Sequence, residues 1–210
     1  MAHLEVAKYV YEILEKLNGT VEKLLVGIQG YRSSDETYQP LRLDKATNTL
    51  QIIDYSHHEI HAGSHFMYTD SAEINSGGTQ DYLITTPNTT KWAHILFDMD
   101  GSAITQWQLF EGSDKTGTTP QTVGNNNRNS LATAGVTIHK GTSGGSTDGT
   151  QVHIYKGGAA AQQSRQASSA RNDTEIILKQ NTKYILRVTS GTNANLTNLR
   201  LEWYEHTDIS

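Results

Sequence analysis

Cysteine is absent from this chain of 210 residues. That removes disulfides, thiolate nucleophiles and cysteine-ligated metals together, so stability has to come from burial and association. Proline and phenylalanine occur three times each. Charged residues make up only 19% and hydrophobic residues 35%; glycine, threonine, serine and asparagine fill the difference. Such a balance suits a β protein with many connections better than a helical one. No apolar run approaches the roughly 18 residues of a membrane-spanning helix, so no membrane partner is expected. The opening MAHLEVAKYVYEILEKL carries acids inside its apolar pattern and lacks a signal-peptide core. The net charge is −5, and without a basic patch a nucleic-acid partner is not expected either. The expected compartment is the cytoplasm, or a particle assembled there.

What is present is organised around KWAHILFDMDGSAITQWQLFEG, residues 91–112. Trp92, His94, Leu96 and Asp98 alternate with Ala93, Ile95, Phe97 and Met99, the period-2 signature of a pleated strand. A second strand alternates Ile104, Gln106, Gln108 and Phe110 with Ala103, Thr105, Trp107, Leu109 and Glu111. Asp98–Gly101 reads as the turn of a hairpin joining them, with Gly101 supplying a positive φ. All three tryptophans, Trp92, Trp107 and Trp203, sit in alternating strands and are expected in the core. About eight strands follow residue 60, with long connections at 113–130 and 157–172. The expected fold is therefore mainly β: an antiparallel two-sheet jelly-roll sandwich with an N-terminal amphipathic α-helix.

That helix is expected over residues 4–25. Ala7, Val10, Leu14, Leu17, Val21 and Leu24 follow a 3-4 spacing, close to a short heptad seam. A helix so short is marginal alone, so the stripe is expected to self-associate or anchor the chain to a partner. Three regions result: a helical arm at 1–26, a linker and β-hairpin at 27–55, and the sandwich domain at 56–210. The hairpin is expected to pair residues 38–43 with 49–55.

Ser56–His65 (SHHEIHAGSH) holds four of the nine histidines. A metalloprotease needs H-E-x-x-H on a helix; here His58-Glu59-Ile60-His61 is one residue short, in a segment that reads as strand or loop. On a strand His57, Glu59 and His61 would share a face, a plausible spacing for two or three ligands, with His57 and His61 as the weak metal candidates. Asp98-Met99-Asp100-Gly101 starts like a calcium loop, but the later ligands are missing and a turn is expected. No serine or cysteine nucleophile motif exists. No catalytic residue, metal or cofactor is therefore expected. The loop around Asn125, Asn127, Arg128 and Asn129 is the candidate exposed contact surface. The four N-x-[ST] triplets, at Asn18, Asn88, Asn172 and Asn195, are read as turn or cap chemistry.

The order of segments resembles a family of tailed-phage virion proteins. The similar features are HHEIH-x-G from His57, DYLI-x-TP-N-TTK from Asp81, an L-x-EG strand end at Leu109–Gly112 and N-x-NRNS at Asn125–Ser130. They continue in the LK-x-NT-x-Y-x-LR-x-TS hairpin from Leu178 to Ser190 and the terminal WYEH at Trp203–His206. Together they span about residues 55–206. The resemblance implies a β-sandwich structural protein of the phage head, of the capsid decoration or cement type and often homotrimeric. Its partner would be the major capsid protein and its place the outer surface of the capsid. No enzymatic activity is implied. The alternative is a receptor- or glycan-binding module of a tail or fibre, with a host-surface glycan as partner. A depolymerase or cupin-like metal protein is the third class, and it would need a carboxylate pair in a cleft or a histidine triad across strands, which the nine histidines permit only weakly.

Overall fold

The computed structural model describes residues 29–32, 37–40, 55–158, 170–171 and 175–207. The expected helix 4–25 lies outside them, with Ala7, Val10, Leu14, Leu17, Val21 and Leu24, as does the strand expected at 49–54. The chain divides into two compact units, Met1–Ile53 and Asp54–Ser210. In the first, β1 (Gln29–Arg32) pairs antiparallel with β2 (Thr37–Pro40). A hairpin is present, but its first strand falls in the stretch read as linker.

The second unit opens with α1 (Tyr55–Ala62) and continues in strands: β3 (His65–Ile74), β4 (Thr79–Thr85), β5 (Lys91–Gly101), β6 (Thr105–Glu111), β7 (Thr116–Pro120), β8 (Gly124–Asn125), β9 (Thr137–Ser143), β10 (Thr150–Gly157), β11 (Ala170–Arg171), β12 (Ile176–Leu178), β13 (Lys183–Ser190) and β14 (Asn195–Thr207). They form two antiparallel sheets of a β-sandwich. The first has the order β10-β6-β13-β4-β9-β7; the second runs β11-β5-β14-β3-β8, with β12 also on β5. Two of the strands, β7 and β8, lie inside the 113–130 stretch read as one long loop.

β5 and β6 are not a hairpin. β5 pairs with β14, β11 and β12, whereas β6 pairs with β13 and β10 in the opposite sheet. Residues 102–104 therefore form an arch between layers. Gly101 carries no positive φ; a side chain there would collide with Thr105, and that close approach is why glycine is needed. The expected hairpin at 178–190 fails the same way, since β12 joins β5 while β13 lies between β4 and β6.

The period-2 faces are as the alternation dictates. Ala93, Ile95, Phe97 and Met99 of β5 and Leu199, Leu201 and Trp203 of β14 face Trp107 and Leu109 of β6 and Tyr184, Leu186 and Val188 of β13 in one buried cluster. Trp107 and Trp203 are each 1% exposed; Trp92 is half-buried on the outward face with His94, against the expectation of a core position. Full burial of side chains this large contributes roughly 1.5–3 kcal/mol each, so this layer is the dominant stabilising term.

Polar residues lock the arches between sheets. Asn195, fully buried, donates from Nδ2 to Ile104 O (3.0 Å), Thr105 Oγ1 (2.8 Å) and Ser190 Oγ (3.1 Å), and its Oδ1 accepts from Ala103 N at 3.0 Å. Glu205, also buried, accepts from Gly135 N, Val136 N and Trp203 Nε1 at 2.9–3.0 Å. Arg187 of β13 forks onto Asp81 (2.6 and 2.8 Å) and reaches Asp148 (2.7 Å), a bidentate geometry of the stronger kind.

Candidate functional site: a histidine–tyrosine row on an outward sheet face

The strand register builds this site. His65 of β3, Tyr204 of β14 and His94 of β5 are direct cross-strand neighbours, so their side chains line up across the outward face of the second sheet. Tyr204 stacks on His94 with centroids 4.7 Å apart and on His65 at 6.2 Å. His206, two residues beyond Tyr204 on the same face, brings its Nε2 to 2.7 Å from His94 Nε2. Glu175 stands just before β12, whose Ile177 pairs with His94. One of its carboxylate oxygens meets His94 Nδ1, and the other accepts the Tyr204 hydroxyl at 2.7 Å. His206 Nδ1 lies 2.8 Å from the carbonyl oxygen of Thr207.

His65 closes the row. It is 4% exposed, and its Nδ1 accepts from Asn126 Nδ2 at 2.8 Å, which puts the ring proton on Nε2. Burial lowers its pKa, against the smaller raising effects of Glu202 and Glu59. Glu202 and Arg200 continue the outward face. There Thr69, Ser71, Asp98, Asp100, Asn198 and Arg200 surround a shallow polar groove of about 480 Å³.

His57 and His61 are on α1, not on a strand. The helix ends in a glycine cap: Gly63 at φ 76° donates to Ile60 O and Ser64 N to Glu59 O, the paired bonds of a Schellman motif. The two imidazoles are therefore one helical turn apart, with Nε2 atoms 3.0 Å from each other on the exposed side. Glu59 points the other way, buried, and binds the Ser64 hydroxyl. It is not beside the histidine pair, so the geometry of a helical zinc protease is missing here. Among the described residues no three His, Cys, Asp or Glu side chains converge as a metal cluster.

The contact loop divides. Asn125 is buried, contrary to expectation: its Nδ2 donates to Gly63 O (2.8 Å) and Ala132 O (3.2 Å), and its Oδ1 accepts from Asn127 N. Asn127 is half-buried and caps Asn129 N. Arg128 and Asn129 are exposed. Sequence reasoning missed Glu175, His94, Tyr204 and His206 as a group. The available signal was that Trp92–Asp98 and Trp203–His206 each alternate, which puts His94, Tyr204 and His206 on outward faces but leaves their register open.

No protein-family model, curated protein or solved structure matches this chain.

Proposed function

We propose that the protein is a non-enzymatic phage capsid decoration protein, a jelly-roll sandwich that binds the major capsid shell as a homotrimer and stabilises the head from its outer surface. One observation carries the reading: the residues that give the chain its likeness to phage virion proteins are engaged in building the scaffold. Tyr82 and Tyr184 are 1% exposed, Arg187 bridges Asp81 and Asp148, Asn125 holds the turn after Ala62, and Glu205 secures the strand-β9 approach. A signature made of fold-determining residues suits a protein whose product is a rigid surface. Each bound trimer would tie neighbouring capsomers together and stabilise the shell as any ligand of the assembled state does. The arm at 1–26 with its apolar stripe is the trimerising or anchoring element in this reading, and the protein is incorporated in the host cytoplasm.

The test is co-sedimentation of the purified chain with heads lacking it, together with its mass in solution. Saturable binding at a fixed ratio to the major capsid protein and a threefold mass are expected. A chain beginning at Gly27 should lose one or both; if it keeps both, the arm has no such role. Retention on host cells without head binding would replace the reading by the receptor one. The observation that favours this second reading is the polar groove around Asp98, Asp100, Asn198 and Arg200, whose paired donors and acceptors suit sugar hydroxyls. A glycan array without hits above background would count against it.

A further inference from the structure

Leu131 is 98% exposed, far more than any other large apolar side chain among the described residues. It is also held firmly in place. Ser130 N donates to Asn127 O at 2.9 Å, Ala132 N donates to Ser130 Oγ at 3.2 Å, and Ala132 O accepts from Nδ2 of the buried Asn125 at 3.2 Å. The residues on either side of the leucine are thus tied down while its side chain stands in water. What a leucine contributes is apolar burial, and within its own chain this one contributes none.

Beside it the sandwich is open. β7 ends the first sheet and β8 the second, and Pro120 of β7 and Asn125 of β8 border a pocket of about 420 Å³. Its apolar walls are Phe66, Val123, Ala134, Val136 and Ile138, which belong to the core or pack on it. The rim continues through Thr133 and Ala132 to Leu131. This stretch is also poor in charge. Arg128 is the only Asp, Glu, Lys or Arg between Thr116 and His139, where the chain-wide 19% would place about four. Loss of carboxylates and lysine with arginine retained is the composition of a protein–protein contact core, and it lets identical faces meet with little like-charge repulsion.

We propose that this face binds a second copy of the chain, with Leu131 of each copy seated in the apolar pocket of its neighbour. The chain itself holds both halves of the contact, a projecting leucine and an open apolar pocket, and that singles out a second copy as the occupant. The two are contiguous on one surface. A symmetry axis beside the loop therefore brings each leucine over the adjacent copy's pocket, and the contact closes instead of propagating. Leu131 is the buried anchor of the pair, and the exposed Arg128, Asn129 and Thr133 form the polar rim around it. Self-association through this face needs no capsid, so it is separable from head binding.

Sedimentation equilibrium of the full chain is the test. Leu131→Asp and Thr133→Glu should each weaken self-association by about tenfold or more, the cost of spoiling an anchor or the rim that keeps water from it. Both positions are exposed, so both variants should melt at the temperature of the native chain. Leu196→Asp, at an exposed leucine on the outward face of β14, should leave the association unchanged. Because the chain has no cysteine, a benzophenone attached to the Leu131→Cys variant reports the neighbour directly. Illumination should give covalent dimers joined at the peptide that carries Val123 or Ala134 of the other copy. A full chain that stays monomeric at its highest soluble concentration would overturn the proposal, as would self-association indifferent to Leu131→Asp. So would loss of head binding in Leu131→Asp with the mass in solution unchanged, since the occupant would then be the capsid shell.

Discussion

Asn195 offers the sharpest test of how the two sheets are held in register. Its carboxamide sits where the β5–β6 arch meets the start of β14. Truncation to alanine removes the acceptor of Ala103 N–H and the donor to Ile104 O, Thr105 Oγ1 and Ser190 Oγ. Several of these groups keep another bond: Ile104 O still accepts from Gly191 N at 2.9 Å, Thr105 Oγ1 donates to Ala103 O, and Ser190 Oγ donates to Thr192 O. The half-buried Ala103 N–H has no such reserve, and a donor left unpaired costs up to about 1–3 kcal/mol where water cannot reach it. Each lost bond whose partner is otherwise satisfied adds about 0.5–1.5 kcal/mol. Asn195→Ala should therefore destabilise by about 3 kcal/mol, or roughly 6–12 °C in Tm for a unit this size. Urea unfolding followed by tryptophan fluorescence reads it directly, because Trp107 and Trp203 are both buried. Asn88, the exposed asparagine of another N-x-[ST] triplet, supplies the control, and Asn88→Ala should stay within about 0.5 kcal/mol. A loss below about 1 kcal/mol at Asn195 would refute the claim that this side chain pins the arch. The same burial makes Asn195 unusable as a glycan acceptor in the folded chain.

Three further outcomes follow from the polar contacts. Glu205→Ala removes the acceptor of Gly135 N–H, Val136 N–H and Trp203 Nε1–H and should cost about 3–5 kcal/mol in chemical denaturation, with Glu205→Gln losing less because one carbonyl oxygen remains. His65, whose folded pKa lies below the ordinary 6.5 through burial, binds its proton more readily when unfolded, so stability should fall as pH drops below about 6.5. Thermal melts between neutral pH and pH 5 should show a steeper decline for the native chain than for His65→Gln; equal slopes would remove His65 as the cause. Asp114 is held at a pKa of about 2 by bonds from Thr147 and Ser146, so the order it gives the 144–149 turn is present above its usual 3.8 and lost as pH falls toward 2. Amide exchange at Ser146 and Thr147 should accelerate over that window, and Asp114→Asn should show fast exchange at every pH.

Period-2 patterning told which side chains face inward, and it did so in β5, β6 and β14, where Ile95, Trp107 and Trp203 are buried. It carried no information on which strand lies beside which. Residues 91–101 and 105–111 read as a hairpin because a glycine and two acids interrupt them, yet the interruption is an arch to the other layer. Alternation is the same for a strand folding back in its own sheet and for one crossing a sandwich. The helix at 55–62 was missed for a different reason. Its composition is rich in histidine, which has no strong helical preference, and its clearest mark is the terminating Gly63, which also serves a turn. Trp92 shares its face with His94, on the outward side, because parity along β5 and not residue type decides which side chains enter the core.

The histidine–tyrosine row shows what kind of site a single sequence conceals. His94 comes from β5, Tyr204 and His206 from β14 and Glu175 from the residue before β12, and His94 is separated from its two principal partners by 81 and 112 positions. None of the four belongs to a spacing that chemistry would single out, unlike the histidines clustered at 57–65. What assembles the row is register alone: Tyr204 opposite both His65 and His94. A slip of one residue in β14 would send Tyr204 and His206 into the core and bring Trp203 and Glu205 out. Such a slip is opposed from the inside, where Trp203 is buried and Glu205 holds two backbone amides and the indole. The outward row is thus positioned by the inward face of the same strand. This predicts that substitutions at Glu205 will disturb the His94–His206 pair without touching it, a coupling that imidazole ¹⁵N shifts in Glu205→Gln would detect.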